Sequence, residues 1–114
     1  SMSSTSEIIV TQNVHPGDST SVTINGTSYK GDGYYGRADG FHTVQYNLVN
    51  FNGTIKMQGT LATTPVEADW GDIAGTEVST SNNSHFKNFT GNFVFVRVTV
   101  TYTAGTVTSV LLNH

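Results

Sequence analysis

The sequence predicts an all-β fold, an antiparallel β-sandwich with one short helical turn near residues 65–70. Short runs of β-branched residues recur along the chain, turn residues such as glycine and asparagine separate them, and no long window has helical periodicity. A length of 114 residues fits one domain. We therefore expect a single sandwich over residues 1–114, with residues 1–6 as a disordered or tag-derived N-terminus.

The strand signals begin with two short runs, Glu7–Gln12 and Thr20–Asn25, which are rich in β-branched residues. The runs Thr43–Asn50 and Gly53–Leu61 then alternate apolar and polar residues, and the turn pair Asn52-Gly53 between them predicts a hairpin. The residues of the second run that are expected to face the core are Ile55, Met57 and Leu61.

A single helical turn is predicted at Thr64–Glu67, where Pro65 occupies the first helical position. Thr64 and Glu67 have the spacing of a capping box, in which each side chain bonds the backbone N–H of the other residue. Gly71 should end the turn just after Trp70.

The strongest strand signal is Asn92–Thr103, in which valines alternate with other residues. An arginine in the middle of an aromatic-flanked strand predicts that Arg97 pairs with an acid or lies in a subunit interface. The turn pair Ala104-Gly105 predicts a second hairpin, with Thr106–Leu112 as its last strand. The residues expected to face the core are Val94, Val96, Val98 and Val100, and those expected on the opposite face are Phe93, Phe95 and Arg97.

The charge of the chain argues against several kinds of partner. Five lysines and arginines and a formal net charge of −3 are too few cations for a face that neutralises nucleic-acid phosphates or anionic lipid headgroups. We therefore expect neither nucleic acid nor membrane as a partner. The absence of cysteine excludes disulfides, cysteine zinc sites and a cysteine nucleophile.

Three carboxylates cluster around Trp70, namely Glu67, Asp69 and Asp72. Paired carboxylates can hydrolyse glycosides, but the capping box already accounts for Glu67. The four histidines are scattered, without the spacing of a metal pair on one element. We therefore predict no enzyme activity, no catalytic residue and no metal site.

The glycine-rich segment Lys30–Gly40 offers the best candidate binding surface. Its two tyrosines could join Trp70 in an aromatic platform for sugars or for a partner protein, although Trp70 could instead close the helical turn onto the core. Calcium bound by the two aspartates of the segment is a less favoured alternative to an ion-free loop, and no cofactor is predicted. The candidate binding residues are Tyr34, Tyr35, Trp70, Asp32 and Asp39.

The segment Phe51–Ile73, FNGTIKMQGTLATTPVEADWGDI, resembles a segment of structural proteins of tailed phages, particularly myovirus-like phages of marine cyanobacteria. In those proteins a strand of the form F-x-G-T-I-x-x-Q-G-(T/S)-L precedes a loop with threonine and proline and a D-W closure. Similar flanks extend the resemblance over residues 40–112, with one departure, since Gly71 stands where an aromatic is expected. The matching positions are Phe51, Gly53, Thr54, Ile55, Gln58, Gly59, Leu61, Pro65, Asp69, Trp70 and Ile73.

The resemblance implies a jelly-roll-like, non-enzymatic appendage of a virion, made in the host cytoplasm and partnered by other copies of itself and by other virion proteins. A carbohydrate-binding module used in host-surface recognition is the alternative. We expect Val107 and Leu111 on one face of the C-terminal hairpin, and Val110 and Leu112 on the other. Because a sandwich covers only one face of each sheet, these two apolar faces need a second cover, either a loop (Lys30–Gly40 or Ala74–Asn88) or a neighbouring subunit. We favour the subunit, as a homo-oligomer with cyclic symmetry. The candidate interface residues are Phe93, Phe95 and Arg97.

Overall fold

The computed structural model describes residues 6–36 and 40–113, and nearly all of their regular structure is antiparallel β-sheet. One short 3-10 turn, Glu67–Asp69, is the helical turn predicted near residues 65–70. The predicted fold class, an all-β antiparallel sandwich, is therefore confirmed. The strands are β1 (Ser6–Val10), β2 (Asn13–Val14), β3 (Val22–Asn25), β4 (Tyr29–Lys30), β5 (Phe41–Thr60), β6 (Gly71–Asp72), β7 (Val78–Ser81), β8 (Ser84–Thr90) and β9 (Phe95–Asn113).

Two of these strands, β5 with 20 residues and β9 with 19, are far longer than expected. The sequence predicts a hairpin within each of them, at Asn52-Gly53 and at Ala104-Gly105, and both predictions are wrong. The chain continues through each pair without turning back. Instead β5 and β9 pair with each other along most of their lengths, from Thr43 opposite Asn113 to Thr60 opposite Phe95.

Each long strand bends, and the two bends lie opposite each other. The register of β5 against β9 shifts between residues 47 and 53, where Asn52 lies opposite Ala104. Asn50 has a φ of 49° and Gly105 a φ of 95°. A Cβ on Gly105 would lie 2.2 Å from the carbonyl oxygen of Asn50, so only glycine lets the strands approach this closely. The predicted turn pairs are thus corners at which both strands pass from one sheet to the other.

The described strands form one continuous hydrogen-bonded sheet of nine strands, and the corner divides it into two layers that pack face to face. In the first layer, residues 41–49 of β5 pair with residues 106–113 of β9, with β8 beside β5 and with β1 and β2 beside β9. In the second layer, residues 52–60 of β5 pair with residues 95–104 of β9, with β6 and β7 beside β5 and with β3 and β4 beside β9.

The core lies between the two layers, where side chains from both form one apolar cluster. Val96, Val98 and Val100 are buried there as predicted, whereas Val94 precedes β9 and is only half-buried. Leu61, predicted to face the core, is 72% exposed because it follows the end of β5. The largest fully buried side chains are Tyr46, Tyr102, Phe51, Ile55, Met57 and Leu112.

Phe93 packs against the core and does not share the face of Phe95. Ring atoms of Phe93 lie 2.6 Å from the position that a Cβ on Gly59 would occupy and 2.3 Å from that on Gly91. Gly59 pairs with Val96, so this side of Gly59 faces inward. The predicted alternation fails here because Phe93 precedes β9, which starts at Phe95.

A β-bulge in the last part of β9 changes which residues share a face. Leu48 pairs with Val107 and Asn47 with Ser109, so the intervening Thr108 has no partner on β5. After this extra residue Val110 and Leu112 are buried beside Val107, and Leu111 points outward. The prediction that Val107 and Leu111 share a face is therefore wrong.

The helical turn is capped differently from the prediction. It begins at Glu67, and the carboxylate of Asp69 accepts a hydrogen bond from the backbone N–H of Val66 at 2.9 Å. Asp69 therefore has the role expected of Glu67, and the side chain of Glu67 is available for another partner. Within the part of the chain that the structure describes, no helix is long and apolar enough to cross a membrane.

Candidate binding face

The outer surface of the second layer brings several of the predicted site residues together around Arg97. Cross-strand pairing fixes this arrangement, because Gln58 of β5 lies opposite both Arg97 of β9 and Asp72 of β6. Residues that lie opposite each other point to the same side of a sheet. We call this surface the Arg97 face, and its residues are Asn25, Tyr34, Lys56, Gln58, Glu67, Trp70, Asp72, Phe95, Arg97 and Thr99.

Arg97 is only 6% exposed, and each of the three nitrogens of its guanidinium donates a hydrogen bond within the protein. Two nitrogens, Nη1 and Nη2, donate to the two carboxylate oxygens of Glu67 at 3.1 and 2.7 Å. The third nitrogen, Nε, donates to Oε1 of Gln58 at 2.9 Å. The guanidinium carbon also lies 4.5 Å from the ring centroid of Trp70, a cation–π geometry. The prediction that Arg97 pairs with an acid is confirmed.

The hydrogen bonds continue on both sides of this ion pair. Nε2 of Gln58 donates to Asp72 at 2.9 Å, and Nζ of Lys56 donates to the other oxygen of the same carboxylate at 2.8 Å. On the opposite side, the Asn25 side chain reaches Glu67 at 3.5 Å and accepts from the Thr99 hydroxyl at 2.7 Å. One connected network thus spans β3, β9, β5 and β6 and holds both carboxylates in fixed positions.

Both carboxylates of the network are stabilised in their ionised form. Hydrogen bonds and the charge of Arg97 hold the pKa of Glu67 below its ordinary value of 4.5. Hydrogen bonds from Gln58 and then from Lys56 lower the pKa of Asp72 below 3.8. Glycoside hydrolysis needs a carboxylic acid that stays protonated near neutral pH. Glu67 and Asp72 are therefore suited to accept hydrogen bonds from a ligand and not to donate a proton to it.

Aromatic rings border the network at the end of β9. The ring of Tyr34 lies 5.6 Å from that of Phe95 and 5.4 Å from that of Tyr35, measured between centroids. Nζ of Lys30 lies 4.5 Å from the centroid of Tyr34. Tyr34 and Tyr35 are 47% and 53% exposed, so they offer contact area while their neighbours fix the ring positions.

The glycine-rich segment is anchored at its base by Asp32. This side chain is buried, and its carboxylate accepts a hydrogen bond from the backbone N–H of Gly40 at 2.9 Å. Asp39, the other predicted calcium ligand, lies outside the described residues. Across residues 6–36 and 40–113, no three histidine, aspartate or glutamate side chains lie close enough together to hold a metal ion.

The structure therefore places four predicted residues, Tyr34, Trp70, Phe95 and Arg97, on one surface, with Tyr35 at its edge. Trp70 lies outside the core cluster and is partly exposed, which favours the platform over its burial. The roles predicted for these residues in binding or assembly stay predictions. Sequence reasoning missed Asn25 and Gln58, whose outward position follows from strand alternation but whose partners depend on pairing between distant segments.

A concavity lies between the edge strands β1 and β3–β4, where the two layers are open. It has a volume of about 280 Å³, and Ile9, Ile24 and Val100 are among the apolar residues that line it. Gln12 and Asn13 add polar groups at its margin. It has none of the charged residues of the Arg97 face.

No protein-family profile matches the chain, and no curated protein matches its sequence. Solved structures nonetheless share its fold. The structure of PirA matches with a TM-score of 0.55 at 11% identity, covering 99% of this chain and 95% of that one. The prophage-derived protein YomS of SPBc2 matches with a TM-score of 0.52 at 12% identity, covering 95% and 88%. CBM29_1, a family 29 carbohydrate-binding module from Piromyces equi, matches with a TM-score of 0.50 at 11% identity, covering 96% and 91%.

Proposed function

We propose that this chain is a non-enzymatic structural module of a tailed-phage particle, an appendage that contacts a partner through the Arg97 face. The resemblance of residues 40–112 to phage structural proteins suggests the particle, and the same fold occurs in the prophage-derived YomS. The observation that carries the proposal is the fixed network around Arg97. Its side chains are already held in place, so a partner can bind with little loss of side-chain entropy.

A role in contact and not in catalysis agrees with the charges on this face. The two carboxylates of the network, Glu67 and Asp72, are each paired with a cation, Arg97 and Lys56. Such pairs fix orientation and specificity in an interface. They supply neither a protonated acid nor an unpaired base for chemistry on a bound molecule.

The protein composition of purified phage particles tests whether this chain is part of them. Particles of a phage that encodes this chain, purified on a density gradient, should contain it at a constant ratio to the other structural proteins when measured by quantitative mass spectrometry. An antibody against the chain should also label the particles in electron micrographs. Recovery of the chain only from the particle-free fraction of the lysate would contradict the proposal.

A carbohydrate is the second candidate partner, and the side chains of the Arg97 face favour it. Trp70 and Tyr34 supply flat apolar surfaces that can cover the C–H faces of a sugar ring. Glu67 is 72% exposed and Asp72 55% exposed at their side chains, so their oxygens can accept hydrogen bonds from sugar hydroxyls. The likeness to CBM29_1 extends only to the fold, which a carbohydrate-binding module can therefore have.

We expect Trp70→Ala and Tyr34→Ala each to weaken glycan binding by at least about tenfold, since each removes an aromatic contact surface. A glycan array identifies a ligand, and isothermal titration calorimetry then measures the affinities. Trp70 is the chain's only tryptophan, so its fluorescence reports on this face directly. Phe41→Ala is the matched control, because Phe41 is 72% exposed on the other layer. Unchanged affinity in both variants would show that the glycan does not bind at the Arg97 face. If no glycan on the array binds, the carbohydrate proposal is wrong, but the proposed place in a phage particle is unaffected.

A further inference from the structure

The outer surface of the first layer, away from the core and from the Arg97 face, carries a cross-strand row in which three of the four residues are apolar. Phe86 of β8 lies opposite Gln45 of β5, which lies opposite Leu111 of β9, which lies opposite Ile8 of β1. Phe86 is 64% and Ile8 58% exposed, and Phe41, at the end of β5, is 72% exposed. We call this surface the Phe86 face. Exposed apolar side chains grouped on one face in this way are a feature of interaction surfaces.

The Phe86 face has no charged side chain among its outward positions. Besides its apolar residues, the outward positions of residues 6–8, 41–49, 84–90 and 109–113 carry only serine, threonine, asparagine and glutamine. The Arg97 face, by contrast, carries two ion pairs. Interface centres are depleted of charge in the same way.

The polar side chains of the Phe86 face already bond one another, so covering them with protein would leave few groups unsatisfied. Gln45 donates to Asn47 at 2.9 Å, and Asn47 donates to Ser109 at 2.9 Å. Ser84 donates to Asn47 at 2.7 Å, which ties β8 to the same residue. Losing water from polar groups is costly mainly when they are left without partners.

We propose that a second copy of this chain packs on the Phe86 face, forming a two-fold symmetric dimer of four stacked sheets. The chain carries a net charge of −3, and two acidic copies can meet most easily where neither presents a charge. A nucleic acid would need cations that this face lacks, and a partner of opposite charge would gain nothing from it. The inference deepens the proposed structural role, because it names the surface through which copies assemble.

The size of the Phe86 face is sufficient for such a contact. Strand spacings give a flat area of about 27 by 19 Å, or about 500 Å² per copy. Two copies would then bury about 1,000 Å² or more, since side chains protrude from the plane, which reaches the lower limit of specific interfaces. An interface of this size is typical of weak association, so we expect a dimer that forms at high micromolar concentration and dissociates on dilution.

Sedimentation equilibrium of the full chain up to about 100 µM tests the inference. The native mass should rise from 12.2 kDa towards twice that value. Phe86→Lys and Leu111→Lys should each weaken the dimer by at least about 100-fold, because each buries a charge with no partner in the interface. Thr101→Lys is the control, since it adds the same charge at an exposed position of the second layer, on the opposite side of the sandwich and outside the Arg97 face. Because the interface carries no charge, the dissociation constant of the dimer should change by less than about twofold between about 50 and 500 mM salt.

A native chain that stays monomeric at about 100 µM would overturn the inference, and so would a dimer that both lysine variants leave intact while circular dichroism shows them folded. If Phe86→Lys fails to fold, Ile8→Lys on the exposed edge strand β1 gives the same result with less risk to the core. The experiments distinguish the two proposals. A chain that is monomeric but present in particles would contradict only the proposed dimer. A dimeric chain missing from particles removes only the particle assignment.

Discussion

Gly105→Ala is expected to lower the free energy of unfolding by about 3 kcal/mol or more, a large fraction of the stability of an ordinary domain. The added Cβ would lie 2.2 Å from the carbonyl oxygen and 2.7 Å from the Cα of the residues facing it, Asn50 and Phe51. Both are backbone atoms, so they cannot move aside as a flexible side chain can. Gly105 also has a φ of 95°, which glycine adopts without strain but alanine does not. Urea denaturation followed by circular dichroism measures the loss.

Gly53→Ala tests the other side of the same corner. Its Cβ would lie 2.2 Å from the carbonyl oxygen of Thr101, again a backbone atom. The control is Gly71→Ala, since Gly71 has open space around its Cβ position and an ordinary φ. The control should change stability by less than about 1 kcal/mol. If Gly105→Ala and Gly53→Ala are as stable as this control, β5 and β9 do not touch at a corner.

Val96→Asp should unfold the domain or lower its stability by about 3–5 kcal/mol, since it places a carboxylate in the centre of the core without a partner. Val96 is 1% exposed and lies between Gly59 of β5 and Tyr29 of β4. Thr101→Asp is the control on the same strand, because Thr101 faces solvent. A thermal midpoint of Val96→Asp equal to that of Thr101→Asp would show that this side of β9 does not face the core.

Alternation predicted the faces of the strands well where pairing is regular. The inward positions of β9 from Val96 to Val100 were readable because period two holds there without a break. The bulge at Thr108 reversed the alternation of inward and outward residues after it, and the local sequence does not predict a bulge. The same limit explains Phe93, which lies before the strand begins.

The predicted hairpins failed because turn signals are local and the corner is not. Asn52-Gly53 and Ala104-Gly105 have the residues of tight turns, but glycine also serves close contact between strands. Which use applies depends on whether β9 lies against β5, a contact between segments far apart in the sequence. The aromatic-flanked position of Arg97 was enough to predict an acidic partner. That this partner is Glu67 depends on contact between distant segments, so it was not predictable.

The sharing of β5 and β9 between the two layers has a consequence for folding. The first layer is built from residues near both ends of the described chain and from two segments in its middle, and the second layer is interleaved with it. Neither layer is therefore a contiguous stretch that can form before the other, and most pairing closes long loops of chain, which slows folding. We therefore expect the two layers to unfold together, so the denaturation curves above should each show a single transition.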